Sequence, residues 1–180
     1  LRSLVGSEMC IRDSLEPGNW MSHGRTYDEQ RYSPLDAVND KNVGQLGMAW
    51  TTRLEIDSGT EATPIVVDGV MYTTGAFSIV YAMNAATGEL LWKYDPDVPP
   101  ENLSQGCCGP VNRGVAVWNG KVYVGSFDGR LIALDAATGK PVWSVDTVID
   151  RSKSYSITGA PRIVKGKVLI GNGGAEFGVR

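Results

Sequence analysis

The apolar positions of this chain recur as a repeat. Residues 64–72 (PIVVDGVMY), 115–123 (VAVWNGKVY) and 161–169 (PRIVKGKVL) share one pattern. Each reads as a β-branched strand, a two-residue turn ending in Gly, and a second strand. Asp68-Gly69 and Asn119-Gly120 are preferred type I′ hairpin turns, because Gly accepts a positive φ at little cost; Lys165-Gly166 is a weaker third copy. The first two copies run on into a second signature, residues 82–92 (AMNAATGELLW) aligning with 133–143 (ALDAATGKPVW). Gly88 and Gly139 are 51 residues apart, as are Trp92 and Trp143, so the two signatures keep one register. Each predicts a strand ending near Asn84 or Asp135, a tight turn through Thr-Gly, and a last strand ending at Trp.

Four short antiparallel strands in a repeat of about 50 residues make the unit of a β-propeller blade. The expected class is therefore all-β. A lone blade has two apolar faces and cannot bury both, so stacked neighbours must do it. Trp50, Trp92 and Trp143 are read as packing residues at those interfaces. Val43–Trp50 is expected to be the last strand of a preceding partial blade. The chain holds about three blades, too few for a ring of roughly four to eight. Residues 19–180 are accordingly read as a partial propeller domain truncated at its C-terminus, because an open ring leaves exposed edges. Residues 1–18 are read as a non-native or disordered tail; 1–14 (LRSLVGSEMCIRDS) share no pattern with the rest and carry no signal-peptide features.

Composition narrows the function classes. A net charge of −3 gives no general pull toward nucleic acid or an anionic membrane. No run of about 20 apolar residues exists to span a bilayer. His23 is the only histidine and is read as structural; neither a zinc site nor a Ser-His-Asp site can be built around it. Of three cysteines, Cys107 and Cys108 are adjacent, which removes them from ordinary zinc spacing. Neighbouring cysteines close a ring only by straining the peptide between them. The residues alone leave open whether these two are bonded to each other or are unpaired core thiols.

The Thr-Gly…Trp repeats resemble the tryptophan-docking motifs of quinoprotein dehydrogenases, which use pyrroloquinoline quinone (PQQ). The resemblance covers about residues 19–180. Residues 20–27 (WMSHGRTY) and 30–35 (QRYSPL) are similar to the opening of the methanol/ethanol dehydrogenase branch, which precedes an eight-bladed propeller with PQQ on its axis. The sharpest motif is residues 106–114 (GCCGPVNRG). The resemblance implies a disulfide between Cys107 and Cys108 lying against one face of PQQ, hence an oxidising, periplasmic setting. It implies that Arg113 binds a PQQ carboxylate, which a guanidinium fork suits. Glu61 and Thr158 match family contacts to the cofactor. Gly173, Gly174 and Ala175 are small residues that let backbone approach a flat ring. Glu176 matches the glutamate that binds Ca²⁺ beside PQQ, a hard cation that prefers carboxylate oxygen; a lanthanide can take its place.

The implied reaction is oxidation of a primary alcohol to an aldehyde, with electrons passed to a cytochrome c. The catalytic aspartate and the remaining calcium ligands are expected beyond Arg180, so the 180-residue polypeptide alone is expected to be inactive. The rival reading is a non-enzymatic propeller scaffold of the outer-membrane-assembly type. Such a scaffold needs the docking tryptophans but has no use for Cys107-Cys108 or Glu176.

Overall fold

The computed structural model describes residues 16–26, 28–56, 58–106 and 108–179, with the side chains of Gln105 and Glu176 outside that set. Ten strands form. β1 (Ile65–Val67), β2 (Val70–Thr74), β3 (Val80–Asn84) and β4 (Leu90–Tyr94) make one antiparallel sheet in sequence order. β5 (Ala116–Trp118), β6 (Lys121–Gly125), β7 (Arg130–Asp135) and β8 (Pro141–Asp146) make a second of the same design. β9 (Arg162–Val164) and β10 (Lys167–Leu169) are the hairpin of a third. No α-helix occurs among the described residues, and none of their helices is long and apolar enough to cross a membrane.

All three hairpins turn as the sequence predicts. Asp68-Gly69, Asn119-Gly120 and Lys165-Gly166 have φ values of 52° and 79°, 49° and 70°, and 49° and 71°. Both central residues are left-handed, as the type I′ geometry that matches strand twist requires. Even Lys165 adopts it, because the flanking strands fix the turn.

The sheets stack face to face, and successive edge strands β1, β5 and β9 touch. Ile65, Tyr72, Val80 and Ala82 of the first sheet pack on Val117, Val122, Val124, Ile132 and Leu134 of the second. Tyr123 and Ala133, on the other face of the second sheet, meet Ile163 of the third. β3 is therefore buried along most of its length, whereas β8 is exposed throughout.

Each docked tryptophan hydrogen-bonds the next sheet's turn. Trp50 Nε1 donates to the Ala85 carbonyl (3.2 Å) and Trp92 Nε1 to that of Ala136 (3.0 Å). Their rings lie against Gly88 and Gly139. Trp143, the third copy, is 37% exposed. One expectation is corrected: Val43–Gln45 is a 3₁₀ turn and no strand forms as far as Trp50. A strand needs a partner edge, and among the described residues none lies beside this stretch; Trp50 docks without one.

The Thr-Gly turns show how the two copies differ in charge. Asn84 Oδ1 accepts the Ala86 and Thr87 N–H groups (2.9 and 3.2 Å). Asp135 Oδ1 accepts the Thr138 hydroxyl (2.7 Å) and N–H (2.9 Å). That hydroxyl bond first, then the N–H, holds the Asp135 carboxyl below its ordinary value. A depressed folded-state value stabilises fully above the unfolded carboxylate range, about pH 3.9, and the contribution is lost as pH falls through the folded value. Asp135→Asn is expected to keep the turn, as Asn84 does, and to make stability less acid-sensitive in that window. Acid unfolding followed by tryptophan fluorescence checks this; equal acid sensitivity in variant and wild type would contradict it.

Candidate functional site

Three of the sequence-predicted residues converge because they occupy the same place in successive repeats. Glu61, Arg113 and Thr158 each lie in the segment leading into an edge strand: β1, β5 and β9. Since those edges are adjacent, so are the segments. The Arg113 guanidinium pairs with Glu61 (Nη2 to Oε2, 2.9 Å) and donates to the Thr158 hydroxyl (Nη1 to Oγ1, 2.8 Å). The Arg113 backbone N–H donates to the Thr158 carbonyl (2.9 Å), which fixes the residue at both ends. The two ion-pair side chains are 49% and 44% exposed, so the pair sits at a surface open to a ligand. A cavity of about 20 Å³, room for about one water, lies behind Arg113, bordered by Met21, Thr63, Ile65 and Val115.

The loop carrying Arg113 is held along its length. At Gly106 a Cβ would stand 2.5 Å from the ring of Phe127, which is fully buried, so only glycine lets the chain cross there. The Phe77 N–H donates to the Pro110 carbonyl (2.8 Å). Asn112 is 2% exposed and bonds the first and second sheets. Cys108 is exposed and disulfide-bonded. Cys107 lies outside the described residues.

Gly173-Gly174-Ala175 comes beside Thr158 through a bridge between Ser156 and Gly173, in which the Gly173 N–H donates to the Ser156 carbonyl (2.7 Å). Gly174, at φ 111°, would bring a Cβ within 2.3 Å of the Ser154 carbonyl. These glycines thus permit close passage of one segment over another, and Ala175 begins an exposed 3₁₀ turn, Ala175–Phe177. The Glu176 side chain lies outside the described set, and no cluster of three metal-ligating side chains occurs among the described residues.

Two features were missed in the sequence. One is the hub of Asn112 with Thr74 and Ser78, of which only Asn112 lies inside a recognisable motif. The other is the detail at His23, read above as structural. Arg31 can only donate, so it bonds His23 Nε2 (3.1 Å), leaving Nδ1 to donate to Thr63 Oγ1 (2.7 Å). The stretch holding His23 and Arg31 is thereby tied to the chain just after Glu61.

Residues 20–176 match the family described as PQQ: glucose/ethanol/alcohol dehydrogenase, beta-propeller domain. The chain is 68% identical, over 98% of its length, to the quinohemoprotein alcohol dehydrogenase ADH-IIG of Pseudomonas putida, of which it covers 24%. It superposes on the solved structure of ADHIIG from Pseudomonas putida with a TM-score of 0.94 at 65% identity, covering 99% of this chain and 26% of that one. It is 58% identical, over 99% of its length, to a 1-butanol dehydrogenase (cytochrome c) of Thauera butanivorans, covering 26% of it. A solved europium-containing methanol dehydrogenase matches with a TM-score of 0.88 at 41% identity, over 95% of this chain and 30% of that one. The chain thus spans about a quarter of the length of the curated relatives it matches.

Proposed function

The chain belongs to the glucose/ethanol/alcohol dehydrogenase β-propeller family, and from that premise we propose that it forms the quinone-holding part of a PQQ- and calcium-dependent dehydrogenase that oxidises primary alcohols to aldehydes. The observation that carries this reading is the Arg113 cluster, one guanidinium bonded to side chains from two other repeats.

The donor set fits the group. PQQ is a flat tricarboxylate. A guanidinium has five N–H donors, and among the described residues the Arg113 guanidinium spends two, on Glu61 and Thr158. Half exposed, it keeps donors for a carboxylate fork. Glu61 and Thr158 would accept from or donate to the polar edge of the quinone. Cys108, paired with Cys107, would lie against one ring face. Gly173, Gly174 and Ala175 would leave backbone room beside the ring, and Glu176 would contribute a carboxylate to calcium, or to a lanthanide in its place. The europium named in the solved methanol dehydrogenase supports a bound metal ion.

When bound, the quinone supplies the two-electron acceptor chemistry that the side chains lack. The protein orients it: Arg113 by charge, the glycines by shape, the cystine by a stiff surface. We place the electron acceptor as a cytochrome c, in line with the name of the Thauera relative. A disulfide between adjacent cysteines belongs to an oxidising compartment, which favours the periplasm.

Native purification of the full-length, exported protein tests the reading. The expected result is stoichiometric PQQ released on denaturation, Cys107 and Cys108 joined by mass spectrometry, and calcium-dependent dye reduction with ethanol or butanol. Recovery of a quinone-free protein with both sulfurs reduced would leave the scaffold reading in its place.

A further inference from the structure

We propose that Asn112 is a positioning residue for the quinone site: its buried amide sets where the loop presents Cys108 and Arg113. The inference rests on the function proposed above and adds a residue to it.

The Asn112 side chain uses its whole hydrogen-bonding capacity. Oδ1 accepts the Thr74 hydroxyl (2.8 Å) and the Gly114 N–H (3.0 Å). Nδ2 donates to Ser78 Oγ (3.1 Å) and to the Gly125 carbonyl (2.9 Å). Two donors and two acceptor sites are all that a carboxamide has. Thr74 ends β2, Ser78 follows it, and Gly125 ends β6, so the amide joins two sheets to the loop between them. Asn112, Thr74 and Ser78 are 2%, 0% and 0% exposed, so water does not compensate for a lost bond.

The surrounding backbone is shaped to receive this amide. Phe77 and Ser78 both have left-handed φ, 57° and 62°, although neither is glycine. Such a pair persists only where its surroundings enforce it. Here the Phe77 N–H holds the Pro110 carbonyl (2.8 Å), and Ser78 Oγ accepts the Phe127 N–H (3.0 Å) as well as Asn112 Nδ2. The strained turn therefore grips the cysteine loop at Pro110 and Asn112. Arg113 is the next residue, and its own N–H is fixed on Thr158. With the backbone set on both sides, the point from which the guanidinium reaches Glu61 and Thr158 is fixed. A brace needed only for stability would not have to contact this loop; the Asp128–Arg130 pair, bonded to Ser126 and the Pro96 carbonyl, is such a brace nearby.

The test uses full-length protein made without quinone and titrated with PQQ, alongside thermal unfolding of the quinone-free forms. Asn112→Ala is expected to weaken PQQ binding roughly tenfold or more, because several buried bonds are lost. Thr74→Val, which removes one bond while keeping the shape, is expected to weaken it about fivefold. Asp128→Asn is expected to lower the unfolding midpoint and leave PQQ affinity within about twofold, because its bonds do not reach the loop. If Asn112→Ala and Thr74→Val bind PQQ as tightly as wild type, Asn112 is a brace and the inference is overturned. If Asn112→Ala does not fold, Thr74→Val decides alone. Wild-type protein that takes up no PQQ would instead overturn the proposed function, and this inference with it.

Discussion

Gly139→Ala is expected to destabilise the full-length protein by about 3 kcal/mol, from two separate costs. Gly139 has φ +70°, and a left-handed alanine costs roughly 1–2 kcal/mol. The added Cβ would also stand 2.6, 2.7 and 3.1 Å from three atoms of the Trp92 ring. That ring cannot slide away cheaply. It is held by its N–H on the Ala136 carbonyl (3.0 Å) and packs against Tyr72 with ring centroids 5.9 Å apart. Forcing it aside carries an overpacking cost of about 1–3 kcal/mol. Gly120→Ala supplies the comparison, with φ +70° and nothing within 4 Å of the added Cβ. It should show the backbone cost alone, about 1 kcal/mol. Urea unfolding midpoints at constant slope give both values. Equal destabilisation by the two variants would mean that the glycine serves the turn only and not the docked tryptophan.

The same comparison explains why the fold was legible. Asp68-Gly69 and Asn119-Gly120 are decided by the turn's own residues, so local chemistry predicts them. The Thr-Gly turns recur with a 51-residue register, so the period exposes them; Trp50 and Trp92, which dock on them, are 42 residues apart and are marked by their place at the end of each repeat. What could not be read depends on neighbours far along the chain. Val43–Trp50 is expected as a strand from the place of Trp50 in the repeat, but a strand is a property of a pair of edges, and its two glycines do not favour one. Phe77 and Ser78 are left-handed without a glycine to announce it; only the bonds to Pro110 and Phe127 make sense of them. At the site, Glu61, Arg113 and Thr158 were identified one at a time through family likeness. That they bond one another follows from the stacking of three repeats, which brings equivalent segments side by side. Asn112 stood inside the quoted motif without a role, because its partners Thr74, Ser78 and Gly125 have no sequence signature.

Arg113→Ala is expected to lower PQQ affinity about a hundredfold while leaving the unfolding midpoint of the quinone-free protein nearly unchanged. The two halves of this expectation have different physical sources. The ion pair with Glu61 is half exposed on both sides, and such pairs contribute little to folding because water and salt screen them. A carboxylate held by a guanidinium fork is another matter, since hydrogen bonds to charged groups are worth about 1.5–3 kcal/mol each, and about 1.4 kcal/mol is a factor of ten. The alanine also leaves Glu61 without its cation, so an anionic quinone would meet a bare carboxylate. Arg113→Lys separates charge from geometry: an ammonium keeps the sign but not the planar fork that reaches Glu61 and Thr158 together. It should recover part of the affinity, leaving a loss of about tenfold. Titration of quinone-free full-length protein with PQQ gives these values, and repeating it at higher salt should narrow the gap between lysine and alanine. Wild-type affinity in Arg113→Ala would reduce the Glu61–Arg113–Thr158 cluster to an ordinary surface contact between repeats, and the site would have to be sought elsewhere.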